Sequence, residues 1–176
     1  MKSLFARGVI GALFAVCAAG ATAQQVSNNQ VAAKEDWYVY TGENPTECWA
    51  VSIPKSVVNT RDGREVNATR GEIQLMVFFR PAQNVRQQVA FSGGYPFRDG
   101  STVTVDVGGT KFEMFTQGEW AWLPNQSEDD KIVAAMKRGA TATVVGVSSR
   151  GTTTTDTFSL TGFTAAVDDA ATRCNQ

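Results

Sequence analysis

Histidine is absent from this chain of 176 residues, and cysteine occurs only three times. Without histidine the sequence lacks the commonest general base, the commonest metal ligand and the usual partner of a nucleophilic serine. Ser52, Ser92 and Ser159 accordingly have no base, and none sits in a G-x-S-x-G turn. Phosphate-loop and dinucleotide fingerprints are missing as well, so no cofactor is expected. An excess of charge is also lacking: 16 basic residues face 17 acidic ones, with a formal net charge of −1. That balance excludes a nucleic-acid partner, which requires a basic face. No run of like charge offers a tail for anionic lipid.

The longest apolar run is N-terminal and resembles an export signal. Lys2 and Arg7 form a positive n-region, Gly8 to Ala19 an apolar h-region, and Ala21-Thr22-Ala23 an A-x-A cleavage site. The run falls short of the roughly 20 residues that span a bilayer. A lipoprotein would use Cys17, but Val16 precedes it where a small residue is wanted. The expectation is a signal peptide over 1–23, a disordered polar leader over 24–34 and one domain over 35–176. No transmembrane segment is expected in the mature chain, which would be periplasmic or secreted.

Removing Cys17 with the signal leaves Cys48 and Cys174. Two cysteines in an oxidising compartment favour a disulfide, with two separate buried thiols as the alternative. The bond would close most of the mature chain into one loop, worth roughly 4–5 kcal/mol in the chain-entropy model.

From Asp36 onward, period-2 patterns dominate. Trp37, Val39 and Thr41 alternate with Tyr38 and Tyr40, and Cys48 to Ile53 follows after a turn. Val57 to Arg70 is polar and reads as a loop or edge excursion. Ile73 to Phe79 is apolar on both faces, as in a central strand, and Val85 to Phe91 gives another. Gly108-Gly109 between two alternating runs predicts a hairpin with a primed turn. Ser127 is placed as the N-cap of one helix ending at Gly139. Ala140 to Ser148 and Thr153 to Phe163 read as the closing strands. The fold class is all-β: a two-sheet, immunoglobulin-like β-sandwich or small barrel of about 8–9 strands with one short helix near 128–138.

Few residues suggest a site. Trp37, Trp49, Trp120 and Trp122 fit a packed core. Trp120 and Trp122 are the best candidates for ligand contact, because they share one face of a strand beside the Pro124-Asn125 loop. Glu128-Asp129-Asp130 lacks the spacing of a calcium loop, and acids suit the first turn of a helix. Thr152 to Thr155 reads as the polar start of an exposed strand. No catalytic or metal-binding residue is identified. An enzyme would be confined to a facing pair of carboxylates.

Asp129-x-Lys131-Ile132-Val133-Ala134-Ala135-Met136-Lys137-Arg138-Gly139, followed by Ser159-Leu160-Thr161-Gly162-Phe163-Thr164-Ala165-Ala166, resembles the closing signature of the invasion-associated locus B family of alphaproteobacterial envelope proteins. Trp37-x-Val39 with Cys48-x-Ala50 resembles that family's opening. The resemblance implies a compact periplasmic β-sandwich, loosely held at the outer membrane in some members and linked by name to host-cell invasion. It implies no reaction. This chain departs from the pattern at Tyr40-Thr41 and at Thr116 to Trp120, where many members carry cysteines. Cys174 is then the one partner left for Cys48. Function is expected to be non-enzymatic binding of a protein or envelope component, or alternatively of a small ligand or carbohydrate through exposed tryptophans.

Overall fold

The computed structural model describes residues 29–43 and 46–175. The expected signal peptide, with Cys17, lies outside the described residues. Twelve strands follow in chain order: β1 (Gln30–Lys34), β2 (Trp37–Glu43), β3 (Thr46–Ser52), β4 (Ser56–Arg61), β5 (Arg64–Glu65), β6 (Gln74–Arg80), β7 (Val85–Ser92), β8 (Thr102–Val107), β9 (Thr110–Gln117), β10 (Trp120–Trp122), β11 (Thr141–Val147) and β12 (Thr153–Ser159). Helix α1 (Gln126–Met136) precedes β11, and α2 (Phe163–Cys174) follows β12.

All twelve strands join one antiparallel sheet in the order β1-β2-β3-β6-β7-β10-β9-β8-β11-β12-β4-β5. The all-β class and the helix near 128–138 hold. The pairing is one continuous ladder, where two sheets or a closed barrel were expected. The strand count is higher than read because the polar excursion after Val57 is itself an edge hairpin, β4–β5. The leader is corrected too. Within its described part, Gln30–Lys34 is strand β1, paired with β2 from Gln30↔Tyr40 to Lys34↔Trp37.

Alternation decides which face each strand buries. Trp37 and Val39 of β2, Leu75 and Val77 of β6, Val89 and Phe91 of β7, and Val103 and Val105 of β8 are fully buried in one core. The sheet curls around that core. Phe91 and Phe158 meet edge-on at 6.2 Å although five steps of the sheet order separate β7 from β12. Trp37 Nε1 donates to the Ser159 carbonyl at 2.9 Å, and Lys55 N donates to the Thr157 carbonyl at 2.7 Å. These contacts bring β2 and the segment after β3 against β12 without pairing them in the ladder.

The two glycines of the β8–β9 turn adopt φ of 59° and 89°, and Gly109 N donates to Asp106 Oδ1 at 2.8 Å. Both central positions of a primed turn need positive φ, so the dipeptide sets the register Val107↔Thr110. The cap of helix α1 lies two residues before the expected Ser127: the Asn125 side chain accepts from Glu128 N at 3.1 Å. Gly139 keeps an ordinary φ. Its lack of a side chain matters because a Cβ there would lie 2.7 Å from Val107 Cγ1.

The strand read through Phe163 ends at Ser159, and after a turn over 160–162 a second helix, α2, begins at Phe163. Gly162 ends the extended chain at φ 87°, and a Cβ on it would collide with the Lys34 carbonyl. Phe163, Ala166, Val167, Ala170 and Cys174 then form the buried stripe of α2, which packs on β2 and β3. Phe163 meets Trp37 edge-on at 4.8 Å. Cys174 is bonded to Cys48 of β3, with Cα atoms 5.8 Å apart.

Candidate functional site

The outer face of β2, β3, β6, β7 and β10 carries a second apolar cluster that neither helix covers. Pairing aligns Tyr38, Val51, Met76, Ala90 and Trp122 in one row across five strands. A second row runs Tyr40, Trp49, Phe78 and Gln88. Met76 and Ala90 are buried here because the larger aromatic side chains roof them, while Tyr38, Tyr40, Trp49, Trp120 and Trp122 stay half-buried. Tyr40 stacks on Trp49 at 5.5 Å, and Trp120 stacks on Trp122 at 5.7 Å. The Arg80 guanidinium lies 4.3 Å from the Phe78 ring and donates from Nε to Glu47 at 2.8 Å.

The four tryptophans therefore divide. Trp37 belongs to the inner core, while Trp49, Trp120 and Trp122 belong to the outer face. Trp122 also lines a groove of about 430 Å3 with Phe115, Gln88, Gln117, Asn125 and Gln126. The groove combines an aromatic surface with several amide side chains.

At the end of the sheet where β12 meets β4 lies a polar cleft of about 410 Å3. Arg70 lines its floor and is paired with Asp156 beneath: Arg70 Nη1 and Nη2 donate to the two Asp156 oxygens, each at 2.6 Å. The Arg70 side chain is 5% exposed and that of Asp156 0%. Arg70 Nε donates to the Gly93 carbonyl at 2.9 Å, and its guanidinium lies 5.0 Å from the Tyr95 ring centroid. Burial pushes the Asp156 carboxyl up from its ordinary value, and Arg70 opposes that shift. Tyr95 Oη and Thr154 Oγ1 share a hydrogen bond of 2.6 Å, and Arg61 Nη2 donates to Thr152 Oγ1 at 2.7 Å. The cleft floor escapes a sequence reading. Thr154 and Asp156 are buried on the inward face of β12, and Thr152 is buried just before it, so the threonine run is no exposed strand. The available signal is their period-2 continuity with Phe158.

The acidic triplet is drawn apart. Glu128 pairs with Lys131 at 2.7 Å, and Asp130 accepts from Gln87 and Gln126, which lower its carboxyl. Asp129 turns inward and accepts from Val89 N at 2.8 Å. Among the described residues no group of three or more His, Cys, Asp or Glu side chains is placed to hold a metal ion. No described helix is long and apolar enough to cross a membrane.

Asp129 gives a pH-dependent test. It is 4% exposed, and burial pushes its carboxyl up to about 6. The folded state thus binds this proton more tightly than the unfolded chain. The group's contribution to stability is full below about pH 4 and is lost as pH rises through about 6. Asp129→Asn removes the charge and keeps an oxygen for Val89. By urea unfolding, the variant should match the parent near pH 4 and exceed it by about 1–3 kcal/mol near pH 7.5. Equal stabilities at both pH values would contradict this assignment.

Compared with curated proteins and with solved structures, the chain has no match. A family model does match it over residues 37–171, from the first residue of β2 into the last turn of α2. That span covers most of the sheet, α1, most of α2, the aromatic face and the polar cleft. The chain is a member of the family described as Invasion associated locus B (IalB) protein.

Proposed function

We propose that this chain is an exported, non-enzymatic envelope protein, periplasmic or secreted, that binds another protein through the aromatic outer face of β2, β3, β6, β7 and β10. The signal-like N-terminus supports export. In this reading the curled sheet works as a sandwich whose halves face each other across the core, leaving one outer face for a partner. The uncovered rows of Tyr40, Trp49, Phe78 and Trp122 beside Arg80 carry the reading. Tyr, Trp and Arg dominate the binding energy of protein interfaces, since they bring large apolar area with a polar end. Catalysis gains no support, because the buried Asp156 carboxylate is held by both terminal nitrogens of Arg70.

Crosslinking in intact cells tests the proposal. An adduct with a defined envelope protein is expected, and Trp49→Ala should weaken the association by at least about tenfold, the scale of an interface hot spot. A Trp49→Ala protein that folds and still forms the adduct in full would refute it.

A second reading, carbohydrate binding at the Trp120–Trp122 pair, gains support from the amide side chains beside Trp122. It calls for a fluorescence change with neutral envelope sugars that Trp120→Ala and Trp122→Ala abolish. A silent glycan panel ends it.

A further inference from the structure

The polar cleft is separate from the aromatic face, and its chemistry differs. Arg61 and Arg150 stand exposed at its rim, with Glu119 as the acidic counterpart. Since Asp156 neutralises Arg70, the remaining lining carries a net positive charge. Asn67, Thr69 and Ser149 add neutral hydrogen-bonding groups, and the lining contains no large aliphatic side chain.

The floor has a spare donor. A guanidinium carries five N–H groups. Arg70 directs Nε to Gly93, one hydrogen each from Nη1 and Nη2 to Asp156, and the other Nη1 hydrogen towards Asn59 Oδ1 at 3.5 Å. The second Nη2 hydrogen has no acceptor among the described residues. Arg70 cannot turn away to find one, because the Asp156 fork, the Gly93 carbonyl and the Tyr95 ring fix its plane. A buried ion pair is weak evidence for stability, because apolar residues of similar volume often serve as well. Its place at the floor of an open cleft, beneath two exposed arginines, fits a binding role.

We propose that this cleft binds an acidic sugar, its carboxylate held by Arg61, Arg150 and the spare Nη2 hydrogen of Arg70, and its hydroxyls by Asn67, Thr69 and Ser149. Arginine suits a carboxylate because its planar fork matches the two oxygens. The neutral groups suit hydroxyls, and the absence of an aliphatic wall argues against a lipid tail.

Titration of the full chain with D-glucuronate, D-glucose and inorganic phosphate, followed by amide NMR shifts, tests this site. Glucuronate should move the amides of Gly94, Tyr95, Ser149 and Arg150, and glucose should bind at least about tenfold more weakly. Arg150→Gln and Arg61→Ala, both at exposed positions, should each weaken glucuronate by about tenfold while leaving the rest of the spectrum in place. Trp122→Ala should leave it unchanged, which separates this cleft from the tryptophan groove. Glucuronate without effect on the cleft amides, glucose binding as well as glucuronate, or phosphate binding where glucuronate does not would each overturn the proposal. So would full glucuronate affinity in Arg150→Gln.

Discussion

Cys174→Ser should lower the melting temperature by about 10–15 °C. The disulfide closes a loop with a sequence separation of 126 residues. Constraining so long a loop in the unfolded chain is worth about 4–5 kcal/mol, and each kcal/mol shifts Tm by about 2–4 °C at this chain length. The folded state gives the bond a further part. Cys48 is 1% exposed and Cys174 6%, so the bond staples the last turn of α2 onto β3 inside the core. Reductant should produce the same loss in the parent and no additional loss in Cys174→Ser. Scanning calorimetry with and without reductant decides the matter. Unchanged melting, or two free thiols in protein purified without reductant, would contradict the account.

Asp156→Asn should cost about 3–5 kcal/mol, because it leaves a buried guanidinium without its counter-charge. Arg70 has few alternatives, since its side chain is 5% exposed and already committed to Gly93 and Tyr95. The paired replacement Arg70→Met with Asp156→Leu should recover most of that loss, as two apolar side chains need no partner. Urea unfolding of the single and double variants measures the coupling. Equal, additive losses would show that the pair is not a unit. Recovery of stability with loss of glucuronate shifts would separate the role of Arg70 in the cleft from its role in folding.

Much of the sheet was legible because its strands obey a simple rule. Trp37 and Val39 face the core while Tyr38 and Tyr40 face out, and the same alternation runs through Val103, Val105 and Val107. The Gly108-Gly109 hairpin was equally plain, since few residues tolerate two successive positive φ values. Helix α2 was hidden for a physical reason. Its buried stripe holds two alanines and a cysteine among five residues, and the period-2 alternation of the preceding strand carries on from Phe158 to Leu160. The cue was Gly162, whose left-handed φ ends the extended chain. Its need for space against Lys34 depends on β1, which lies far away in sequence.

The sites show the same division. Trp120 and Trp122 lie two apart on one short strand, so their shared face followed from strand periodicity, and their stacking at 5.7 Å agrees with it. Their membership in a wider aromatic face depends on the register of β7 and β10, which local pattern does not fix. Arg70 and Asp156 are 86 residues apart and meet because the sheet curls. A reading that treats Thr152 to Thr155 as one exposed polar run conceals that every second residue points inward. The family match ends at residue 171 and so stops short of Cys174, the residue that ties α2 to β3.

Site-specific photocrosslinking in intact cells tests the aromatic face most directly. A benzoyl-phenylalanine in place of Tyr40 sits within that face, and one in place of Lys111, an exposed residue of β9, serves as the control. The account predicts that the Tyr40 position captures one defined envelope protein, that Trp49→Ala abolishes the adduct, and that the Lys111 position captures none. Equal capture at both positions, or none at Tyr40, would contradict it.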